Sequence, residues 1–478
     1  MPQLKRLTAP FPKLINTYNR AGLGAWYAGA IPENGKNSPL IVFVPGLGQT
    51  AQSWWTIDDY YGKNDMYEQS FIAGYRTAFV SFTKDGKNAL DMWQNGKILT
   101  WQLSDICKYF KTKSVILVAH SKGGVDCQTA IVYNGAEKYV ETLITLSSPH
   151  WGSQLADLAY SSAGWYFADA INAHSNGCYV MQTEIMKDYR KKTDINKMLV
   201  ANFKTLGGYG QGPALTKLWV GTHVLDKFGA NDGVVTEQSS HNPNGDHIAS
   251  LKFNHAQMRT GKYMWAYLHI IIKGQPLILP DEVEEISKFK SCGNIVRGGK
   301  LENGIDEDFF VDSNTHSMQV NLSATSLVAA KLSSLDGVLY NSNASQKLSD
   351  GQQMLQFMIE NPNTGKWKLS SEKSTGAYLV VIQLSSHASA NTQNVKNLKY
   401  NSKILKTYPD HFEFVSEFDS NKDTSLANLK NGIYNIETTH SGELSDGSPY
   451  NRTSIKSLLI NNTNFDLKEF LKNSKNQI

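Results

Sequence analysis

The chain has 478 residues, 41% hydrophobic and 11% aromatic, enough for two or three folded domains and too apolar for a disordered chain. Basic residues number 47 against 43 acidic, a formal net charge of +4 with no basic run, so there is no electrostatic case for a nucleic-acid partner. The four cysteines (Cys107, Cys127, Cys178, Cys292) are scattered without a C-x-x-C pair, which indicates neither a zinc site nor a disulfide framework, and no apolar stretch is long enough to span a bilayer.

The first residues, Met1-Pro2-Gln3-Leu4-Lys5-Arg6-Leu7-Thr8, carry charge with no apolar run behind them, so no secretory leader is legible. Residues 14–45 read as β-structure feeding a core strand. Within them 24–29 read as an edge strand, 32–39 as a turn and 40–44 as a strand buried on both faces. That strand empties into Pro45-Gly46-Leu47-Gly48-Gln49, which reads equally as a plain βα turn or as a loop whose backbone N–H is aimed at a developing oxyanion. Trp54 and Trp55 follow, placed to line an acyl site or to pack. Residues 77–82 read as another strand, and 98–110 as an amphipathic helix burying Ile98, Trp101, Leu103, Ile106 and Tyr109.

The next stretch organises the rest. Ser114-Val115-Ile116-Leu117-Val118 is an apolar, β-branched run that turns abruptly into Ala119-His120-Ser121-Lys122-Gly123-Gly124 and then a helix-compatible segment, 125–133. Strand, small-residue turn and helix make a nucleophile elbow, in which the strained Ser tolerates nothing bulky two positions before or after it. Ala119 and Gly123 meet that demand. The plainer reading is a strand–helix turn whose Ser caps the helix.

Beyond the elbow, 140–146 form a further strand ending at Ser148-Pro149-His150-Trp151-Gly152-Ser153. Strands alternating with helices predict a mostly parallel sheet flanked by helices. Residues 155–212, rich in Ala, Tyr, Trp and Met, read as an inserted helical cap, with a large ordinary crossover as the plainer reading, and 217–221 as a return to the sheet. The catalytic unit is expected over 1–280, followed by a charged helical linker over 281–299. From 300 to 478, short alternating strands (318–322, 354–359, 366–369, 377–382) predict one or two antiparallel β-sandwich modules, with a second β-rich piece over about 397–466.

Ser121 needs a base, and the base a carboxylate, in the chain order nucleophile, acid, histidine. Asp232, in Gly229-Ala230-Asn231-Asp232-Gly233-Val234-Val235, is placed to present the carboxylate, with Asp226 and Asp246 as rivals. His255 falls in the loop before the last helix, where the base belongs, ahead of His247 and His269; His241, like His247, lies in a polar loop. His120 packs beside the elbow and His150 comes too early in the order.

The motifs Ala119-x-Ser121-x-Gly123, Ser148 to Ser153 and Asn231-Asp232-Gly233-Val234-Val235 resemble bacterial lipases and esterases of the α/β-hydrolase superfamily, over residues 20–275. The resemblance implies the triad Ser121, Asp232 and His255, and an oxyanion hole made by the N–H groups of Leu47 and Lys122. Those lipases usually carry His-Gly where this chain has Pro45-Gly46. Some bind a structural calcium, but no ligand set matches here, and no metal or cofactor is expected.

The expected activity is hydrolysis of an ester or lipid substrate, with Trp54, Trp55, His120 and Trp151 as substrate-binding candidates. A polyester depolymerase or acyltransferase would use the same triad, and a non-catalytic binding protein would keep the hydrolase fold as a relic. The β-rich appendage and the lipase likeness favour an extracellular setting over a cytoplasmic one. Nothing in the sequence fixes the oligomeric state.

Overall fold

The computed structural model describes residues 9–18, 23–58, 60–195, 202–278, 290–386, 395–419 and 429–461. Its first sheet is built from β1 (Lys13–Tyr18), β2 (Leu23–Ala28), β3 (Leu40–Val44), β4 (Arg76–Ser81), β5 (Val115–His120), β6 (Val140–Leu146), β7 (Asn202–Gly208) and β8 (Asp246–Leu251). The strand order is β1-β2-β4-β3-β5-β6-β7-β8, with β3 to β8 parallel and β1 and β2 antiparallel at one end. Strands β3 and β5 are buried along their whole length, which their unbroken apolar runs require when both sheet faces are covered.

One face is covered by α2 (Met92–Phe110) and α3 (Lys122–Tyr133), the other by α1 (Met66–Ile72) and α9 (Gly261–Ile272). This is the α/β-hydrolase arrangement expected from the sequence. In α2 the buried side holds Ile98, Leu103 and Ile106, while Trp101 and Tyr109 are exposed, contrary to expectation. The helix also begins earlier than its apolar spacing suggests, because Asp91 caps it by accepting from Gln94 N–H at 2.8 Å.

Other expectations change. Residues 24–29 form an inner strand, since the more polar β1 takes the edge. The cap is shorter than 155–212: α4 (Gln154–Ala159), α5 (Trp165–Ala170), α6 (Asn176–Tyr179) and α7 (Thr183–Thr193) make it, and 202–208 already belong to the sheet as β7. Residues 217–221 are not a strand but the start of α8 (Lys217–Leu225), capped by Thr216 Oγ1 accepting from Trp219 N–H at 3.3 Å. Its run Leu218-Trp219-Val220 is buried all round, and a short apolar run does not by itself separate buried helix from buried strand.

The expected linker over 281–299 is also revised. Residues 279–289 lie outside the described residues, and Lys290–Lys300 is a strand of the C-terminal region. That region holds two facing antiparallel sheets of five and four strands with one shared core (Val320, Phe357, Trp367, Val380), the expected sandwich. A third, four-stranded sheet spans Lys396–Ile460. It does not stand apart: Asn435 Nδ2 donates to Asp157 O (2.6 Å), Ser162 Oγ to Glu437 Oε2 (2.6 Å) and Tyr179 OH to Thr407 O (2.7 Å). The cap is thus held between the hydrolase sheet and the C-terminal strands. Leu158, Phe167 and Val224 share a cluster with Val296, Leu379 and Val381.

Candidate active site

The turn after β5 holds Ser121 at φ +54°, ψ −135°, a conformation L-residues rarely adopt, and Ser121 N–H is anchored on Leu146 O at 2.9 Å. The small residues around it answer to close approaches. A Cβ on Gly123 would stand 2.5 Å from Pro45 O, and one on Gly46 would stand 2.8 Å from Ser121 Cβ.

Asp232 is fully buried in the loop after α8. Its Oδ1 accepts from the N–H groups of Val234 (2.9 Å) and Val235 (2.7 Å), and its Oδ2 accepts from His255 Nδ1 at 2.7 Å. His255 N–H also donates to Asp232 O at 2.9 Å, so the two loops are tied by main chain as well as side chain. Among the other acids weighed, Asp226 receives bonds from Asn231 and Gln383, and Asp246 is exposed at the start of β8.

His120 is buried beside this pair. Its Nε2–H donates to His255 O at 2.9 Å, and the two rings lie 4.5 Å apart. Burial first, then the charges of His255 and Arg259, hold the His120 imidazole well below its ordinary value and keep it neutral. It lines the cavity, yet this ring nitrogen is committed to holding the His255 loop. Arg259 fixes the far side of that loop by pairing with Asp58 and donating to Ser53 O at 3.1 Å.

Lys122 is buried, and its ammonium pairs with Asp126 at 2.6 Å, where Asn95 also donates at 2.9 Å. Burial pushes the Asp126 carboxyl up, against the opposing pull of Lys122. The pair draws the Lys122 side chain aside and leaves its backbone N–H at the head of α3, where a helix supplies no internal partner. Leu47, just after Gly46, lines the same cavity as Ser121 and Lys122.

That cavity measures about 390 Å³, inside the roughly 300–1,000 Å³ range of small-molecule sites. Ser121 and His255 open into it, and its walls are apolar: Leu155, Leu158, Phe167 and Met181 from the cap, Val220 and Val224 from α8. The C-terminal region closes one side with Ser323, Met354 and Leu379, which sequence reasoning missed. Nothing local to those residues marks them, because they meet Ser121 only through the packing of the β-sheets on the cap.

Three aromatic candidates fall elsewhere. Trp54 is fully buried against Phe43 (ring centroids 5.0 Å apart) and Trp55 packs on Phe79 (5.0 Å), so both are core residues under the sheet. Trp151 is exposed and its Nε1 donates to His241 O at 3.1 Å, outside the cavity lining. His150 is buried, bonded to Thr145 and Asn242, and its imidazole is lowered first by burial. His269 lies on α9 against Tyr75. His241 and His247 stack on each other beside Glu237, and burial together with His241 pushes the His247 imidazole down to about 4.

A family profile described as a PGAP1-like alpha/beta domain matches residues 37–163. Among solved structures, the chain is similar to Bacillus licheniformis lipase BlEst2 in propeptide form, with 30% identity and a TM-score of 0.79 over 91% of this chain and 97% of that one. The mature form of the same lipase matches at 36% identity and TM-score 0.47, over 52% of this chain and 97% of that one. A metagenomic carboxyl esterase matches at 18% identity and TM-score 0.35, over 47% of this chain and 66% of that one. Comparison with curated proteins returns no match.

Proposed function

Since this chain belongs to the lipase and esterase family of the α/β-hydrolases, we propose that it is a serine-dependent carboxylic ester hydrolase working through an acyl-enzyme. The observation that carries the reading is the 2.7 Å bond between Asp232 and His255, with His255 and Ser121 lining one apolar cavity. Ser121 Oγ attacks the ester carbonyl while His255 Nε2 takes its proton. Asp232 holds Nδ1–H and steadies the imidazolium that forms. The N–H groups of Leu47 and Lys122 receive the oxyanion. His255 then gives the proton to the leaving alcohol, and water repeats the sequence on the acyl-enzyme to release the acid. The apolar walls favour an acyl chain over a sugar or peptide.

The relative that matches 91% of this chain is named as a propeptide form. We extend that reading to this chain: the sandwich over residues 290–386 masks the site, supported by the presence of Ser323, Met354 and Leu379 in the cavity wall beside the elbow. A masked hydrolase suits release outside the cell, which remains our expected setting.

The test is hydrolysis of p-nitrophenyl esters from acetyl to palmitoyl by wild type and Ser121→Ala, before and after limited cleavage within 279–289. Activity and organophosphonate labelling should vanish with the mutation and rise on cleavage. Ester turnover that survives Ser121→Ala would sink the triad reading, and activity unchanged or lost on cleavage would sink the masking.

A further inference from the structure

On the outer side of the Asp232 loop, away from the cavity, three donors converge. Glu237 and His241 flank the single 3-10 turn Gln238–Ser240, and His247 projects from β8 next to Thr205 on β7. His241 Nε2 lies 2.6 Å from Glu237 Oε1 and His247 Nε2 lies 3.7 Å from the same oxygen. The three donor atoms all fall within 4.8 Å of one another. The imidazoles are stacked, with centroids 3.5 Å apart and planes at 20°. We propose that Glu237, His241 and His247 form a binding site for a first-row divalent transition ion of the Zn²⁺ type.

The donor set selects the class of ion. Two imidazoles and one carboxylate suit Zn²⁺ and its neighbours, whereas Ca²⁺ and Mg²⁺ take oxygen ligands almost throughout. Tetrahedral bonds of about 2.0–2.2 Å put ligand atoms roughly 3.3–3.5 Å apart. The present separations straddle that figure, so side-chain rotation alone brings the three onto an ion. A supporting shell is in place. His247 Nδ1 sits 3.0 Å from Thr205 Oγ1, which fixes the ring and leaves Nε2 facing Glu237. Ser250 Oγ, 2.9 Å from His247 Nε2 and bonded to Glu237 Oε1, stands where a fourth ligand or its water would be held. All three ligand side chains are partly exposed, which gives an ion a way in and a water a place to complete the coordination.

The ligand loop is anchored to the site. Glu237 N–H donates to Ala230 O at 2.7 Å, two residues before Asp232, and Ser239 Oγ donates to Gly152 O at 2.6 Å. The ion therefore cross-links the segment between the acid and the last sheet strand, a structural role outside the reaction. This inference does not depend on the ester-hydrolase reading, and either can fail alone.

The test uses the full chain, stripped with chelator, re-equilibrated with ZnCl₂ and assayed for bound metal by mass spectrometry. Co²⁺ substitution serves as a spectroscopic reporter. The expected result is one tightly held ion per chain, a tetrahedral Co²⁺ spectrum and a higher Tm than the stripped protein. His247→Ala should bring stoichiometry close to zero while its far-UV spectrum stays native. His241→Asn, at the more exposed ring, stands in if His247→Ala does not fold. No retained ion, or the same ion content in these variants, overturns the proposal and leaves a hydrogen-bonded Glu–His–His cluster.

Discussion

Asp232→Asn is the substitution that most directly interrogates the proposed chemistry. Oδ1 of Asp232 accepts two backbone N–H groups, from Val234 and Val235, at 2.9 and 2.7 Å. An amide NH₂ cannot take that place against two donors, so the Asn must keep its oxygen there and turn its NH₂ toward His255 Nδ1. The imidazole must then accept at Nδ1 and carry its proton on Nε2, the atom that has to receive the proton of Ser121. Loop geometry is retained and the base is disabled. The expected loss in kcat is about 10,000-fold, or about 5.4 kcal/mol of transition-state stabilisation. Asp232→Ala, by contrast, leaves one buried and one partly buried N–H group unpaired and should lower stability by roughly 2–4 kcal/mol as well. The assay is p-nitrophenyl butyrate hydrolysis, in whichever form, whole or cleaved, the wild type turns over fastest, with Tm as the fold check. An Asp232→Asn enzyme within about 30-fold of wild type, where a disabled base predicts about 10,000-fold, would refute the tautomer argument.

Other outcomes follow from the packing. Each methylene added to the acyl chain should raise kcat/KM about fourfold, from about 0.8 kcal/mol of burial, until the cavity is full; a flat chain-length series would contradict acyl binding in the cavity. Asp126→Ala strands the buried Lys122 ammonium and should cost about 3–5 kcal/mol in urea unfolding, most of it recovered in Lys122→Met/Asp126→Leu. A single-mutant cost under about 1 kcal/mol would show that the ammonium finds water. In the cap, burial pushes the Asp157 carboxyl up to about 6, against hydrogen bonds from Thr183 and Ser457. A value raised on folding means that the stability it lends is complete below about pH 4 and is lost as pH rises through about 6, up to roughly 3 kcal/mol. The Tm gap between Asp157→Asn and wild type should therefore move in the variant's favour from about pH 4 to about pH 7, and a constant gap would refute the shift.

What was legible in the sequence shares a physical cause. The elbow shows because the turn at the strained Ser121 leaves no room for a side chain at Gly123, a local demand written into adjacent letters. Strands β3 and β5 show because parallel strands covered on both faces are near-continuous apolar runs, and β6 shows through its apolar, β-branched second half, Leu143 to Leu146. The loop carrying Asp232 shows through its turn residues. What stayed hidden depends on contacts between distant segments. Leu218-Trp219-Val220 is apolar in either conformation, and only its neighbours make it a helix. Trp54 and Trp151 have the composition of a binding site, yet one is sealed under the sheet and the other faces outward. Met354 and Leu379 belong to the cavity solely through the docking of a later region. Glu237, His241 and His247 carry a spacing that joins a turn to a strand, and it matches no local pattern until the register of β7 and β8 is known.

The strand Pro449–Ile460, among the last of the chain, bears on the cap, where Ser457 Oγ accepts from Glu184 N–H at 3.1 Å. A ribosome delivers these partners far apart in time. At about 5–20 residues per second, the 188 residues from Ile272 to Ile460 take roughly 10–40 s to emerge after α9 is complete. In the first part of that interval, until Ala377–Ser386 has emerged, Leu158, Phe167 and Val224 lack Leu379 and Val381 and present an apolar face to solvent. The nascent chain is then at its most adhesive, and the cell must either shield that face with a chaperone or finish translation quickly.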